Sequence, residues 1–160
     1  MKNINRGLGI VVFLLSISNI AFGQKKDTAD VSKIGMKITG NDLTHKKYYK
    51  GLDKNPYTGV MVERYPESKK IKRTVEIKDG IIVDGPVVEL YESGGKKSEE
   101  YFLKGDRNGK YSEWYENGKL KMEGGYINDL EEGRWTYYKE DGKKDYFNYF
   151  KKGVIVTKKK

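Results

Sequence analysis

The feature that most constrains this chain is a regular spacing of glycines. Gly59, Gly85, Gly109 and Gly133 are separated by 26, 24 and 24 residues, and similar residues follow each of them. A period of roughly 20 to 50 residues is typical of proteins built from repeated supersecondary units that stack side by side. The spacing therefore predicts four similar units over residues 59–156.

Each unit is predicted to be a β-hairpin. In the clearest one, Gly109–Tyr126, a strand rich in Trp and Tyr leads to Asn117-Gly118, and a second strand follows. Asn-Gly favours a type I′ turn because both residues tolerate positive φ. Hairpin turns are expected nine residues after each unit glycine, at Ser68, Gly94, Gly118 and Gly142, and closing turns at Gly80, Gly105, Asn128-Asp129 and Gly153. Such frequent turn residues argue against helices.

These patterns predict an all-β fold, an antiparallel meander of repeated β-hairpins that forms one extended, twisted sheet. The sheet is expected over residues 48–157, with units at 59–84, 85–108, 109–132 and 133–156. Residues 24–47 are polar and predict a linker with a short edge strand, and residues 158–160 predict a basic tail. Aromatic residues on both faces favour a single sheet held by cross-strand packing.

The first 23 residues are predicted to be a secretory signal peptide. Lys2 and Arg6 give a positive start, residues 8–20 are apolar, and residues 21–23 place small side chains at positions −3 and −1 before cleavage at Gln24. A membrane anchor is the alternative, but a spanning helix needs about 20 apolar residues, and this run is shorter. Export to the periplasm or the medium is the expected localisation.

Composition excludes several classes of function. The chain has no cysteine and one histidine, His45, which excludes thiol chemistry, cysteinyl metal sites and a histidine-based triad. No cofactor and no metal are expected. Residues 1–23 carry two basic and no acidic residues, so their removal lowers the net charge from +9 to +7. That balance fits a solvated lysine-rich surface. It also permits binding to anionic lipid, glycan or acidic protein, while nucleic acid is disfavoured for an exported chain.

A repeat family is suggested by the motif G-x-Y-x-x-W-Y-x-N-G-x-L-x-x-E at residues 109–123. This motif resembles the MORN repeat variant (membrane occupation and recognition nexus), and the lead-in Asn55–Gly59 is similar to that of bacterial proteins of this type. The resemblance covers residues 48–156. It implies an antitoxin-like role in a toxin–antitoxin system, protein scaffolding or phospholipid binding. Because a neutralising protein must share a compartment with its toxin, export favours an immunity or binding role in the envelope.

A row of carboxylates is the first candidate site. Strand alternation puts Glu63, Glu89 and Glu113 on one face of the sheet. Carboxylates in such a row can bind a hard cation or transfer protons. Ion pairing across strands is the preferred interpretation, and its predicted basic partners on the intervening strands are Arg73, Lys97 and Lys121.

Aromatic residues form the second candidate site. Exposed aromatic side chains are typical anchors of binding surfaces. The residues predicted to contact a partner or sugar rings are Tyr65, Tyr91, Tyr115, Trp114, Trp135 and Tyr137. The competing interpretation is that they brace the sheet. Tyr65, Tyr91 and Tyr115 each follow a unit glycine by six residues, and Tyr138 is the expected counterpart in the fourth unit.

The predicted function is a non-enzymatic, exported binding or scaffolding module. The preferred ligand is a protein partner, engaged by an aromatic face or by a sheet edge. The alternative is binding to anionic lipid or glycan at an envelope surface through the basic rim. A glycosidase that uses the Glu row is disfavoured, because it needs two carboxylates about 5 to 9.5 Å apart in a cleft.

Overall fold

A computed structural model describes residues 28–39, 45–52 and 55–159 of the chain. Within these residues it contains thirteen β-strands and one short 3₁₀ helix, Val31–Lys33. The strands are β1 Thr28–Asp30, β2 Ile34–Thr39, β3 His45–Lys50, β4 Gly59–Arg64, β5 Ile71–Lys78, β6 Ile81–Ile82, β7 Gly85–Leu90, β8 Lys96–Leu103, β9 Asp106–Trp114, β10 Leu120–Ile127, β11 Leu130–Tyr138, β12 Lys144–Lys151 and β13 Val154–Lys159.

The strands form one large open sheet and one small sheet. The order in the large sheet is β1-β4-β5-β7-β8-β9-β10-β11-β12-β13, and β6 pairs with β5 beside this path. Every pairing is antiparallel except the edge pair β1–β4, which is parallel. β2 and β3 pair only with each other. The predicted all-β meander of repeated hairpins is therefore confirmed.

Two kinds of hairpin turn alternate along the sheet. The turns that close each unit have two residues, both with positive φ, as a type I′ turn requires. These pairs are Asp79-Gly80, Lys104-Gly105, Asn128-Asp129 and Lys152-Gly153. Their twist matches the right-handed twist of the paired strands, so they hold successive units in one continuous sheet.

The turns inside the units are of a different kind, and the type I′ prediction for Asn117-Gly118 is wrong. Only Gly118 has positive φ, at 81°. The Gly118 amide donates to the Tyr115 carbonyl at 2.9 Å, and the Tyr115 amide donates to the Lys119 carbonyl at 2.8 Å. These bonds define a three-residue loop, a β-turn followed by a left-handed glycine. The dipeptide Asn-Gly is compatible with both loops, and the register of the flanking strands decides between them.

The first unit is longer than the others because of its loops. The Tyr65 amide donates to the Lys70 carbonyl, so this loop has one residue more than the later ones, and Lys69 takes the left-handed position at φ 58°. A second additional residue lies between β6 and β7, where the strand is interrupted before Gly85. These two residues account for the difference between the 26-residue and the 24-residue spacings. Because both lie in loops, the strand register of the later units is unchanged.

The residue before each unit glycine fixes the next closing turn. The side-chain oxygens of Thr58, Asp84 and Glu132 accept hydrogen bonds from the amides of Asp79, Lys104 and Lys152 at 2.9, 2.6 and 2.8 Å. In the third unit the side chains of Asn108 and Asn128 bond to each other at 3.1 Å. A side-chain acceptor for an exposed turn amide stabilises the turn, so each unit stabilises the start of the following one.

A compact apolar core exists at the N-terminal end of the sheet. Its buried members are Ala29, Tyr57, Met61, Val75, Ile77, Ile82 and Val87. The β2–β3 hairpin is attached at this end, where the Tyr48 amide donates to the Gly80 carbonyl at 2.9 Å and Tyr48 packs against the core. This cluster and the strand ladders hold the first unit.

The structure adds detail to two segment predictions. In the segment 24–47, predicted to be a linker with a short edge strand, residues 28–30 form edge strand β1 and residues 31–33 the 3₁₀ helix, because Ala29 is buried in the core beside β4. Two of the three residues assigned to a basic tail, 158 and 159, belong to β13, which pairs with β12. The predicted signal peptide, residues 1–23, lies outside the described residues.

Candidate functional site

The three predicted tyrosines Tyr65, Tyr91 and Tyr115 have a common internal contact. Each half-buried hydroxyl donates a hydrogen bond to a backbone carbonyl of the next unit. The bonds join Tyr65 to Leu90, Tyr91 to Trp114 and Tyr115 to Tyr138, at 2.8, 2.6 and 2.8 Å. Because these hydroxyls are engaged within the sheet, the three tyrosines brace neighbouring units.

The tyrosine row does not continue at Tyr138. The Lys139 amide donates to the Lys143 carbonyl at 2.8 Å, the same bond that Tyr115 makes to Lys119. Lys139 is therefore the structural counterpart of Tyr115, and Tyr138 is the counterpart of Trp114. Tyr138 points to the opposite face, where its hydroxyl donates to Glu123 at 2.6 Å.

Trp135 and Tyr137 are also engaged inside the chain. Trp135 is only 3% exposed, and its indole packs on Gly124, stacked with Tyr111 at a ring distance of 5.5 Å. Tyr137 stacks on Tyr146 across the β11–β12 ladder at 4.4 Å. Burial raises the pKa of the Tyr111 and Tyr137 hydroxyls. These rings form the aromatic core of the last two units and leave little surface for a ligand.

Trp114 is the sixth predicted aromatic residue, and it lies on the opposite face from the others. Its ring is half-buried, and the Lys96 ammonium lies 5.1 Å from the ring centroid. A cation in this position is attracted by the ring face. The six predicted residues therefore do not form one surface.

The Glu row is paired as predicted. Glu63 binds Arg73 and Lys72 at 2.8 Å each, Glu89 binds Lys97 at 2.7 Å, and Glu113 binds Lys121 at 2.7 Å. The hydrogen bond from Lys72 lowers the pKa of the Glu63 carboxyl. Each carboxylate has its own cation, and the row ends in the fourth unit, where Tyr137 replaces the glutamate. Cross-strand ion pairing explains these residues.

The large apolar residues that remain exposed are concentrated beside the closing turns. Tyr101, Leu103, Ile127, Leu130 and Val154 are between 39 and 65% exposed, and we call this group the turn-side patch. The strand pairings put its members on one face, opposite to Trp135. The spacing is that of the repeat, since Ile127 follows Leu103, and Val154 follows Leu130, by 24 residues. Contiguous exposed apolar residues are typical of interaction surfaces, so this patch is a candidate site.

The outer edge of β13 adjoins this patch. β13 ends the strand order of the large sheet and pairs only with β12 among the described residues. Ile155 and Val156 are 52 and 58% exposed. An exposed apolar edge strand offers unpaired backbone groups to an incoming strand. Lysines at the neighbouring closing turns, Lys104, Lys151 and Lys152, are exposed and make the surroundings basic.

Sequence reasoning missed the turn-side patch because it assigned faces only from each unit glycine onward. The register shifts in the β8–β9 and β10–β11 pairings are each of two residues, so side-chain alternation carries through to the closing turns. Alternation gives the face of these residues, but it does not report that nothing in the described part of the chain covers them. The usable signal was the 24-residue recurrence of aliphatic residues next to the type I′ turns.

Two other kinds of site are not found in the described part of the chain. No group of three or more His, Asp or Glu side chains is arranged there to hold a metal ion. None of its helical segments has the length and apolar character needed to cross a membrane.

Comparison with known proteins adds no relative. No family model, no curated protein and no solved structure matches this chain.

Proposed function

We propose that this chain is a non-enzymatic, exported binding module of MORN-type repeats, and that a protein partner docks on the turn-side patch and the adjoining edge of β13. The exposed row of apolar side chains at the repeat spacing carries this proposal. The aromatic face, the other predicted docking surface, is less suited because its rings and hydroxyls are used within the sheet.

The partner is expected to present apolar side chains bordered by acidic ones. Apolar contacts at the centre of an interface supply most of its binding energy, and charges at the rim set orientation and association rate. The exposed lysines at the closing turns, Lys104, Lys151 and Lys152, supply that rim. A toxin that this chain neutralises in the envelope, or another envelope protein, would fit this description.

The proposal is tested by changing the patch without changing the core. In Ile127→Ser/Leu130→Ser both altered residues are about half exposed, so the fold is retained. Ile71→Ser is the matched control, because Ile71 is 43% exposed at the other end of the strands. Proteins crosslinked to each form in the envelope fraction are identified, and the recovered partner is then purified and titrated. We expect the double variant to bind at least about tenfold more weakly and the control to bind like the wild type.

Two results would overturn the proposal. One is recovery of the same proteins at the same affinity by the wild type and the double variant. The other is concentration-dependent dimerisation of the wild type that the double variant abolishes, because the patch would then be an interface between copies of the chain.

A further inference from the structure

An open groove crosses four strands of the sheet on the face that also carries the turn-side patch. It has a volume of about 430 Å³ and is lined by Lys110 of β9, Glu123 and Gly124 of β10, Arg134, Thr136 and Tyr138 of β11, and Lys144 of β12. Its size is that of a small-ligand site. Unlike an enclosed pocket, it is shallow and its outer side is open to solvent.

The groove has more positive charge than its own contacts use. Lys110 lies 3.7 Å from Glu123, whose carboxylate also accepts the Tyr138 hydroxyl. Arg134 and Lys144 have no carboxylate partner within the described part of the chain. The Arg134 guanidinium instead lies over the Phe147 ring, 4.2 Å from its centroid. That stacking orients the planar group and leaves its N–H donors available for a bidentate contact.

The repeat does not require these cations. Pro86, Lys110 and Arg134 occupy equivalent positions at 24-residue intervals, so the first of these units has no charge there. Lys96, Leu120 and Lys144 are equivalent in the same way, so a cation recurs at this position in two of the three units. A neutral residue occupies one of the two positions in each of the units 85–108 and 109–132, and both positions are cationic only in the unit 133–156, where the groove is.

The remaining lining favours a sugar over a phosphate-rich ligand. Thr136, Tyr138 and Glu123 place two hydroxyls and a carboxylate in the groove, and these groups bond well to sugar hydroxyls. Tyr149 pairs with Arg134 across the ladder and is 40% exposed, so its ring can pack against an apolar sugar face. The Glu123 carboxylate repels any anion, and it disfavours a doubly charged phosphate more strongly than a single carboxylate.

We propose that this groove binds an acidic glycan, with a uronate carboxylate held between Arg134 and Lys144. The bidentate guanidinium contact fixes the carboxylate, and the open side lets the sugar chain continue in both directions. This site does not depend on the protein-binding patch, because its lining residues are different.

The proposal is tested by calorimetric titration with a short oligogalacturonate. A neutral oligosaccharide of the same length, inorganic phosphate and vesicles containing phosphatidylglycerol serve as competing probes. We expect the oligogalacturonate to bind at low salt, to bind less tightly as salt rises, and to be preferred over all three probes. Arg134→Gln should weaken binding at least about tenfold, and Arg134→Lys, which keeps the charge but loses the planar fork, should have an intermediate effect.

Lys78→Gln is the matched control, since it removes one exposed positive charge from a unit that is distant in the sheet. It should leave oligogalacturonate binding unchanged. The proposal is overturned if no oligogalacturonate binding is seen at low salt, or if Arg134→Gln and Lys78→Gln weaken it equally. Tighter binding of phosphate or of the vesicles, lost in Arg134→Gln, would overturn it too, because the groove would then be a phosphate or lipid site.

Discussion

Replacing Gly124 by alanine tests whether the last two units depend on direct packing of an indole against the backbone. A Cβ atom at this position would lie 2.2, 2.4 and 2.6 Å from three atoms of the Trp135 indole. Such contacts need the ring to move by about 1 Å or more. The ring is held on its other sides by Tyr111, Tyr126 and Phe150, at centroid distances of 5.5, 5.1 and 5.9 Å.

The expected cost follows from the two ways in which the structure can respond. Overpacking of a filled core costs about 1 to 3 kcal/mol. Complete displacement of the indole would approach the cost of a large-to-small substitution, about 3 to 5 kcal/mol. We therefore expect Gly124→Ala to lower the free energy of unfolding by about 3 kcal/mol.

The measurement is urea-induced unfolding followed by tryptophan fluorescence. A Trp114→Phe background makes Trp135 the only reporter. Gly95→Ala is the matched control, because no atom lies within 4 Å of its added Cβ, and its effect should stay within about 1 kcal/mol. In a Trp135→Leu background that keeps Trp114 as the reporter, the indole at position 135 is gone and the cost of Gly124→Ala should fall to less than half. Equal effects of Gly124→Ala and Gly95→Ala would refute the packing argument.

Three further predictions concern single side chains. Tyr91→Phe removes a hydrogen bond between units and should lower the free energy of unfolding, measured by denaturant titration, by about 1 kcal/mol. Tyr101→Phe, on the exposed patch, should change it little. Equal effects of the two substitutions would contradict the bracing role. The pKa of Glu63 is lowered from 4.5 in the fold, so the stabilisation by its carboxylate is complete above that pH and is lost as the pH falls through the lowered pKa. In Glu63→Gln the free energy of unfolding should therefore depend less on pH in this acid range. An unchanged pH dependence would count against the ion pair. Burial raises the pKa of Glu100, so Glu100→Gln should stabilise the protein at neutral pH, with a gain that disappears below about pH 4.5 in melting experiments.

Turn chemistry and period made the fold predictable from the sequence. A 24-residue recurrence of glycine fixed the length of each unit, and Asp, Asn or Lys before glycine or Asp marked the closing turns, where both residues have positive φ. The Glu row was predictable as well, because opposite charges on neighbouring strands have few other partners. These features depend on residues close in sequence or separated by a fixed interval.

The candidate site was not predictable in the same way. Whether an aromatic ring is exposed depends on the side chains of the two neighbouring strands. Trp135 is buried because Gly124, on the neighbouring strand, leaves room for its ring. Edge strand β1 depends on the burial of a single alanine, Ala29, beside β4. The groove needs Arg134 and Lys144 on neighbouring strands without an ion-pair partner in the described part of the chain. Each of these depends on tertiary contacts that local alternation does not report.

In a repeated sheet, a residue that recurs at the period and has an internal partner is explained by the fold. The tyrosine hydroxyls and the glutamate row meet both conditions. The turn-side patch recurs at the period, and no segment in the described part of the chain covers it, which is why it is proposed as a docking surface. The groove departs from the repeat instead: Lys110 and Arg134 stand where the second unit has Pro86, and Arg134 and Lys144 have no carboxylate partner in the described part of the chain. Function in this chain is therefore to be sought where the repeat is either uncovered or broken, and both places lie on the face opposite to Trp135.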